Sequence, residues 1–159
     1  MTSPPTGPDL GDPAPGFDLP RDGGGRVSLA ALAPGKVVLY FYPRDDTPGC
    51  TTEAIDFTRL GADFAAAGCT VVGISKDSVA AHERFGRKHG LGVILASDAG
   101  GDTCERYGTW VEKSLYGRRS MGIERATFLI DGGGRIAALW RKVRVPGHAE
   151  AVLAAARAL

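Results

Sequence analysis

Cys50 stands in the run Phe41-Tyr42-Pro43-Arg44-Asp45-Asp46-Thr47-Pro48-Gly49-Cys50-Thr51-Thr52-Glu53. An apolar stretch, Val37 to Tyr42, stops at Pro43; a short polar loop then delivers the cysteine to what reads as the start of a helix. A sulfur placed there lies near unpaired backbone N–H groups and the positive end of the helix dipole. Both favour the thiolate, which is the nucleophilic form. The chemistry to expect is attack by sulfur on an electrophile. The other cysteines, Cys69 and Cys104, are far off in sequence, the count of three is odd, and no CxxC occurs. No Cys/His pair has zinc-site spacing. A disulfide framework and a metal site are therefore not expected, and one reactive thiol in a reducing compartment, the cytoplasm, is the better reading.

Positioning such a thiol takes a strand that ends beneath it and a helix that begins at it. Val37 to Tyr42 is apolar without alternation, as in a strand buried on both faces. The next segment reads as a helix from about 48 to 67: Thr47 is placed as N-cap, Pro48 suits the first helical position, and Gly68 the stop. Cys69 to Ser75 is a second buried strand, which completes a right-handed βαβ unit. A helix over about 78–89, closed by Gly90, and a strand over 93–96 follow. Asp102 to Glu105 has a capping-box pattern opening a short helix to Tyr107. Residues 126–130 and 135–140 flank Asp131-Gly132-Gly133-Gly134 and read as an antiparallel hairpin, with turn chemistry and no phosphate-binding pattern. The alanine-rich tail, 149–159, is helical. Near the start, 17–19 and 26–29 flank Asp22-Gly23-Gly24-Gly25 as a small hairpin, with Ser28 capping a short turn. Residues 1–16, rich in Pro and Gly, read as a flexible lead-in, and 17–159 as one domain. The order predicts an α/β fold: a thioredoxin-like three-layer α/β/α sandwich with a mixed central sheet and an N-terminal β-hairpin extension. In open α/β sheets, sites lie at the carboxyl ends of strands, which is where Cys50 follows.

The 159 residues suffice for a real core. Hydrophobic residues at 43% and charged residues at 23% are globular values, and the formal net charge of +1 gives no argument for nucleic acid or membrane partners. No apolar run is long enough to span a bilayer, and the N-terminus has neither a basic nor an apolar leader segment.

Pro43, Thr47 and Cys50 together match the pattern Pro-x-x-x-Thr-x-x-Cys, and on it the chain resembles the peroxiredoxins. The fuller run through Thr51 and Glu53 looks like their bacterioferritin comigratory protein, or PrxQ, class. Gly73 to Ser78, Leu95 to Asp98, Tyr107 to Trp110 and Arg125 to Asp131 fit the same class, so the likeness covers nearly the whole chain. The resemblance implies a thiol-dependent peroxidase that reduces hydrogen peroxide and organic hydroperoxides through a sulfenic acid at Cys50, with no cofactor. It implies a monomer, with a dimer as the alternative, and a thiol reductant: thioredoxin, glutaredoxin or glutathione.

Peroxide reduction needs an in-line sulfur and donors for the oxyanion that leaves. Pro43 lacks an N–H, shields the sulfur and fixes the loop. Thr47 can bond both sulfur and peroxide oxygen through its hydroxyl. The N–H groups of Gly49 and Cys50 suit an oxyanion. By resemblance Arg125 supplies the fixed cation that favours the thiolate and polarises the peroxide, and Glu53 orients Arg125 or Thr47. Asp45 and Asp46 oppose that cation, so their side chains are expected to face solvent. Where the class carries a resolving cysteine, this chain has Ile55 and Gly86. That departure favours a one-cysteine cycle.

Two other functions fit a thiol on this fold. A thiol–disulfide oxidoreductase is opposed by the missing CxxC, and a non-enzymatic peroxide sensor or holdase would oxidise without turnover. Cys69 reads as a buried small hydrophobe and Cys104 as packing, with a redox or resolving role as its alternative. His82, His89 and His148 read as surface or capping residues. Arg118 and Arg119 read as a solvated pair near the loop to Arg125, and Trp110 and Phe128 as core, with the pocket rim as the other option.

Overall fold

The computed structural model describes residues 7–159. In chain order the elements are β1 (Asp18–Pro20), β2 (Arg26–Ser28), α1 (Leu29–Leu32), β3 (Lys36–Phe41), α2 (Pro48–Arg59), α3 (Gly61–Ala66), β4 (Cys69–Ser75) and α4 (Val79–His89). They continue with β5 (Ile94–Ser97), α5 (Thr103–Arg106), β6 (Trp110–Leu115), β7 (Arg118–Ile123), β8 (Ala126–Ile130), β9 (Ile136–Arg141) and α6 (His148–Arg157).

The apolar run around β3 puts that strand at the centre of a five-stranded sheet of order β5-β4-β3-β8-β9. β3 runs parallel to β4 and antiparallel to β8, so the sheet is mixed. Its side chains alternate. Val38, Tyr40 and Tyr42 enter one half of the core with Phe57, Phe64, Phe85 and the inner face of α6. Val37, Leu39 and Phe41 enter the other with Phe17, Leu19, Tyr107 and Phe128. Burying a side chain such as Phe57, which has no exposed surface, contributes roughly 1.5–3 kcal/mol. Helices α2, α3, α4 and α6 cover the first face; the β1–β2 hairpin with α1 and α5 covers the second. The fold is α/β and thioredoxin-like, as the element order predicts.

Several local features differ from the sequence reading. The helix expected over 48–67 is two helices, broken at Leu60, whose N–H still bonds the Asp56 carbonyl. Asp102 does not cap α5: its carboxylate bonds Arg106. Asp98, with no exposed surface, does the capping, accepting the Thr103 N–H at 3.1 Å and the Cys104 N–H at 2.9 Å. A Cβ on Gly101 would lie 2.5 Å from that carboxylate, so the close approach requires glycine. The lead-in is bound from Gly11 onward: Gly11 and Ala14 N–H groups donate to the Ile136 and Gly134 carbonyls, each at 2.9 Å. Its first six residues lie outside the described residues. The β6–β7 hairpin was not read from the sequence. Its strands mix apolar and polar residues on both faces and are mostly exposed, and its two-residue loop, Tyr116-Gly117, has positive φ at both positions, the hairpin-turn signal.

Candidate active site

Thr47 has the extended backbone of an N-cap and Pro48 opens α2, which places Cys50 in the first turn. The Thr47 hydroxyl does not cap the helix. It donates to the Arg44 carbonyl at 2.8 Å, which leaves its lone pairs free. Pro43 is exposed, and Cys50 is buried with 1% of its surface exposed.

Arg125 reaches the sulfur from the residue just before β8. Its flanking backbone is pinned: the Arg125 carbonyl accepts from Val143 N–H at 3.0 Å, and Glu124 N–H donates to the Thr109 carbonyl at 2.7 Å. The guanidinium then divides its donors. Nη2 points at Cys50 Sγ at 3.4 Å, and Nη1 donates to Glu53 Oε1 at 2.7 Å. Glu53 lies one helical turn beyond Cys50, on the same face of α2. Gly49 leaves room for the approach: a Cβ there would sit 3.2 Å from Arg125 Nη2, close enough to press on the guanidinium. Gly49, Cys50 and Glu53 thus meet Arg125 at one place; Pro43 and Thr47 stand in the loop that leads to them, and no hydrogen bond joins Thr47 to Cys50 among the described residues.

The surroundings are enclosed. Burial pushes the Glu53 carboxyl up to about 7, against the downward pull of Arg125. Glu53 Oε2 and the Tyr40 hydroxyl are both buried without a hydrogen-bond partner among the described residues. Burial, and next Glu53, hold the Tyr40 phenol well above its usual range. Lys113 of β6 lies across Gly122; burial and then the charge of Arg125 push its ammonium down. It escaped the sequence reading because its hairpin did.

The remaining candidates sort by environment. Cys104 has no exposed surface, and burial, with the Asp98 carboxylate next, drives its thiol far above the usual range. Burial also raises Cys69. All three cysteines are free. Phe128 is core; Trp110 is half-buried with Lys76 Nζ 4.9 Å from its ring centre. Arg118 and Arg119 are exposed in β7.

Two expectations are corrected. Asp45 does not face solvent: its side chain is 6% exposed and meets His82 at 2.6 Å. Asp46 does face out, where Lys88 and His89 hold its carboxyl below the usual range. The histidines are not surface residues as a group. His82 has no exposed surface, and His148 is buried with Nε2 2.8 Å from Thr127 Oγ1. Only His89 keeps partial exposure, beside Asp46. No spacing in the sequence marks these partners, which come from other elements.

A thiol at a helix start over a thioredoxin-like sheet, with a guanidinium on the sulfur, defines a redox-active cysteine site. Residues 10–139 match the AhpC/TSA family, and the chain belongs to it. It is 50% identical over 145 residues to a putative peroxiredoxin bcp of Coxiella burnetii, covering 91% of this chain and 96% of that one. It is 47% identical over 148 residues to peroxiredoxin Bcp of Xanthomonas campestris, covering 92% of each. A solved structure of the Xanthomonas campestris bacterioferritin comigratory protein, a trapped intermediate/ligand complex bearing on alkyl peroxide reduction, matches with a TM-score of 0.85. That match has 44% identity and covers 89% of this chain and 90% of that one. The resemblance to the peroxiredoxins of this class holds along the chain.

Proposed function

We infer that Cys50 is the peroxidatic sulfur of a one-cysteine cycle. The chain is a thiol-dependent peroxidase. The observation that carries the assignment is the Arg125 Nη2 to Cys50 Sγ contact at 3.4 Å in the first turn of α2. A guanidinium donor and helix N–H groups favour the ionised sulfur and meet the charge that develops on the leaving oxygen. The Cys50 thiolate attacks the outer oxygen of ROOH and the O–O bond breaks. Sulfur becomes the sulfenic acid, and RO⁻ takes a proton to leave as ROH. One thiol then condenses with the sulfenic acid, releasing water and forming a mixed disulfide. A second thiol displaces Cys50 and leaves with the first as a disulfide. Gly49 and Cys50 N–H groups and Thr47 suit the peroxide oxygens, Pro43 the shielding of the loop, and Glu53 the orientation of Arg125.

Resolution by an outside thiol is supported by Ile55 and Gly86, where a resolving cysteine is expected, and by the burial of Cys104 and Cys69. Thioredoxin, glutaredoxin and glutathione are the reductants to try. Three free cysteines suit a reducing compartment such as the cytoplasm. No helix among the described residues is long and apolar enough to cross a membrane. A monomer is the assembly we favour.

Peroxide consumption by wild type and Cys50→Ser, with reductant present, tests the assignment. Turnover in the wild type and none in the variant is expected. Full activity in Cys50→Ser would refute it. Turnover also separates the enzyme from a sensor. In the same experiment the intact mass of oxidised wild type tests resolution: a quantitative intramolecular disulfide would overturn the one-cysteine cycle.

A further inference from the structure

The two aspartates that lead into the nucleophile are both tied to α4. Asp45 Oδ1 accepts from the Tyr42 hydroxyl at 2.6 Å, and Oδ2 lies 2.6 Å from His82 Nδ1. Its N–H donates to Asp77 Oδ2 at 2.9 Å. On the far side of the ring, His82 Nε2 lies 3.0 Å from the Ala96 carbonyl. A carbonyl has no proton to give, so Nε2 donates. Nδ1 and Oδ2 at 2.6 Å then share a proton, because two bare acceptors would repel at that separation.

Asp46 turns the opposite way. Its φ of 60° is a conformation that residues other than glycine seldom adopt. It carries the carboxylate to Lys88 Nζ at 2.7 Å and His89 Nε2 at 2.8 Å. Successive residues of one loop thus grip the two ends of one helix, the first pair buried and the second at the surface. Polar atoms of Asp45, Asp77 and His82 lie within 4.8 Å of one another. Each already has a protein partner, so the cluster reads as a fastening and not as an ion site.

We propose that Asp45 and His82 are positioning residues for Cys50. The buried pair fixes the loop that holds the sulfur against Arg125, and Asp46 is an outer latch on the same helix. The proposal rests on Cys50 being the peroxidatic sulfur. Among the described residues the loop between Asp45 and Cys50 has few other side-chain fastenings: Thr47 Oγ1 to the Arg44 carbonyl lies within the loop itself. A shift of about 1 Å would carry the 3.4 Å contact from Arg125 to sulfur beyond hydrogen-bond reach. A misplacement of about 1 Å lowers a rate on the order of 100-fold.

The test is single-turnover reaction of Asp45→Asn and His82→Gln with hydrogen peroxide, beside iodoacetamide modification of Cys50 in the same proteins. The expected result is a peroxide rate lower by about 100-fold with faster iodoacetamide modification, because the sulfur is displaced from its line with the peroxide and uncovered. Asp46→Asn is expected to show the same pattern, weaker. A wild-type peroxide rate in a folded Asp45→Asn or His82→Gln would overturn the proposal. So would a parallel fall of both rates, which means a sulfur less reactive towards every electrophile and not one moved out of line with the peroxide. Should both variants fail to fold, hydrogen exchange in wild type decides: the Asp45 amide is expected to be as protected as those of α4, and faster exchange refutes the latch. Cys50→Ser keeps the two ideas apart. An inactive Cys50→Ser with a fully active Asp45→Asn removes only the latch, whereas an active Cys50→Ser removes the peroxidase assignment itself.

Discussion

Replacing Glu53 and His148 in turn should expose two opposite pH dependences that nearly cancel in the wild-type protein. Glu53 is 1% exposed, and burial raises its carboxyl from 4.5 to about 7. The folded protein therefore holds that proton more tightly than the unfolded chain does. This contribution to stability is complete below pH 4.5 and is lost as pH rises towards 7. His148 is 7% exposed, and burial lowers its imidazole from 6.5 to about 4, with the Arg125 charge adding to the shift. Its contribution is complete above pH 6.5 and is lost as pH falls towards 4. Each shift corresponds to about 3 kcal/mol at 1.36 kcal/mol per pH unit. Between pH 4.5 and 6.5 the two slopes oppose each other. Glu53→Gln should leave the rising slope, and His148→Gln the falling one. Urea unfolding across that interval, with each variant's slope referred to wild type, measures both. A Glu53→Gln profile parallel to wild type would show that the carboxyl beside Arg125 stays ionised throughout, and the account of a carboxyl raised by burial would fail.

Arg125→Lys should slow peroxide reduction by about tenfold or more, read by stopped-flow, because an ammonium cannot span Glu53 Oε1 and Cys50 Sγ as the guanidinium fork does; an unchanged rate would assign the role to another cation. Gly101→Ala should cost about 1–2 kcal/mol in urea unfolding, because its Cβ would push the Asp98 carboxylate off the start of α5. Unchanged stability would mean that the carboxylate moves freely.

The parts of the molecule that could be read from the sequence are those whose signal is local. Val37 to Tyr42 is apolar on every residue, and only the middle of a sheet buries both faces of a strand. Pro48 and Gly90 mark a helix start and a helix end at the residues where they stand. Cys50 follows from both signals. What escaped depends on partners distant in sequence. Asp45 and Asp46 look alike, and only the reversed φ at Asp46 sends one inward to α4 and the other outward. Asp98 caps α5 because Gly101 lets the chain fold back on it, whereas Asp102 occupies the expected place and bonds Arg106. The β6–β7 strands bury too little to show a two-residue period. Arg125 was legible only through resemblance, since a lone arginine before a strand carries no signal of its own.

β3 deals its side chains to both halves of the interior and then runs directly into the reacting loop. For anyone wishing to harden this protein against heat, endurance and turnover are therefore not separate dials. Repacking around Tyr40 or Tyr42 would jostle the floor on which the sulfur rests. The safer ground for such redesign is the opposite half, near Ile130 and Ile136, where tighter filling can be sought without touching the working parts.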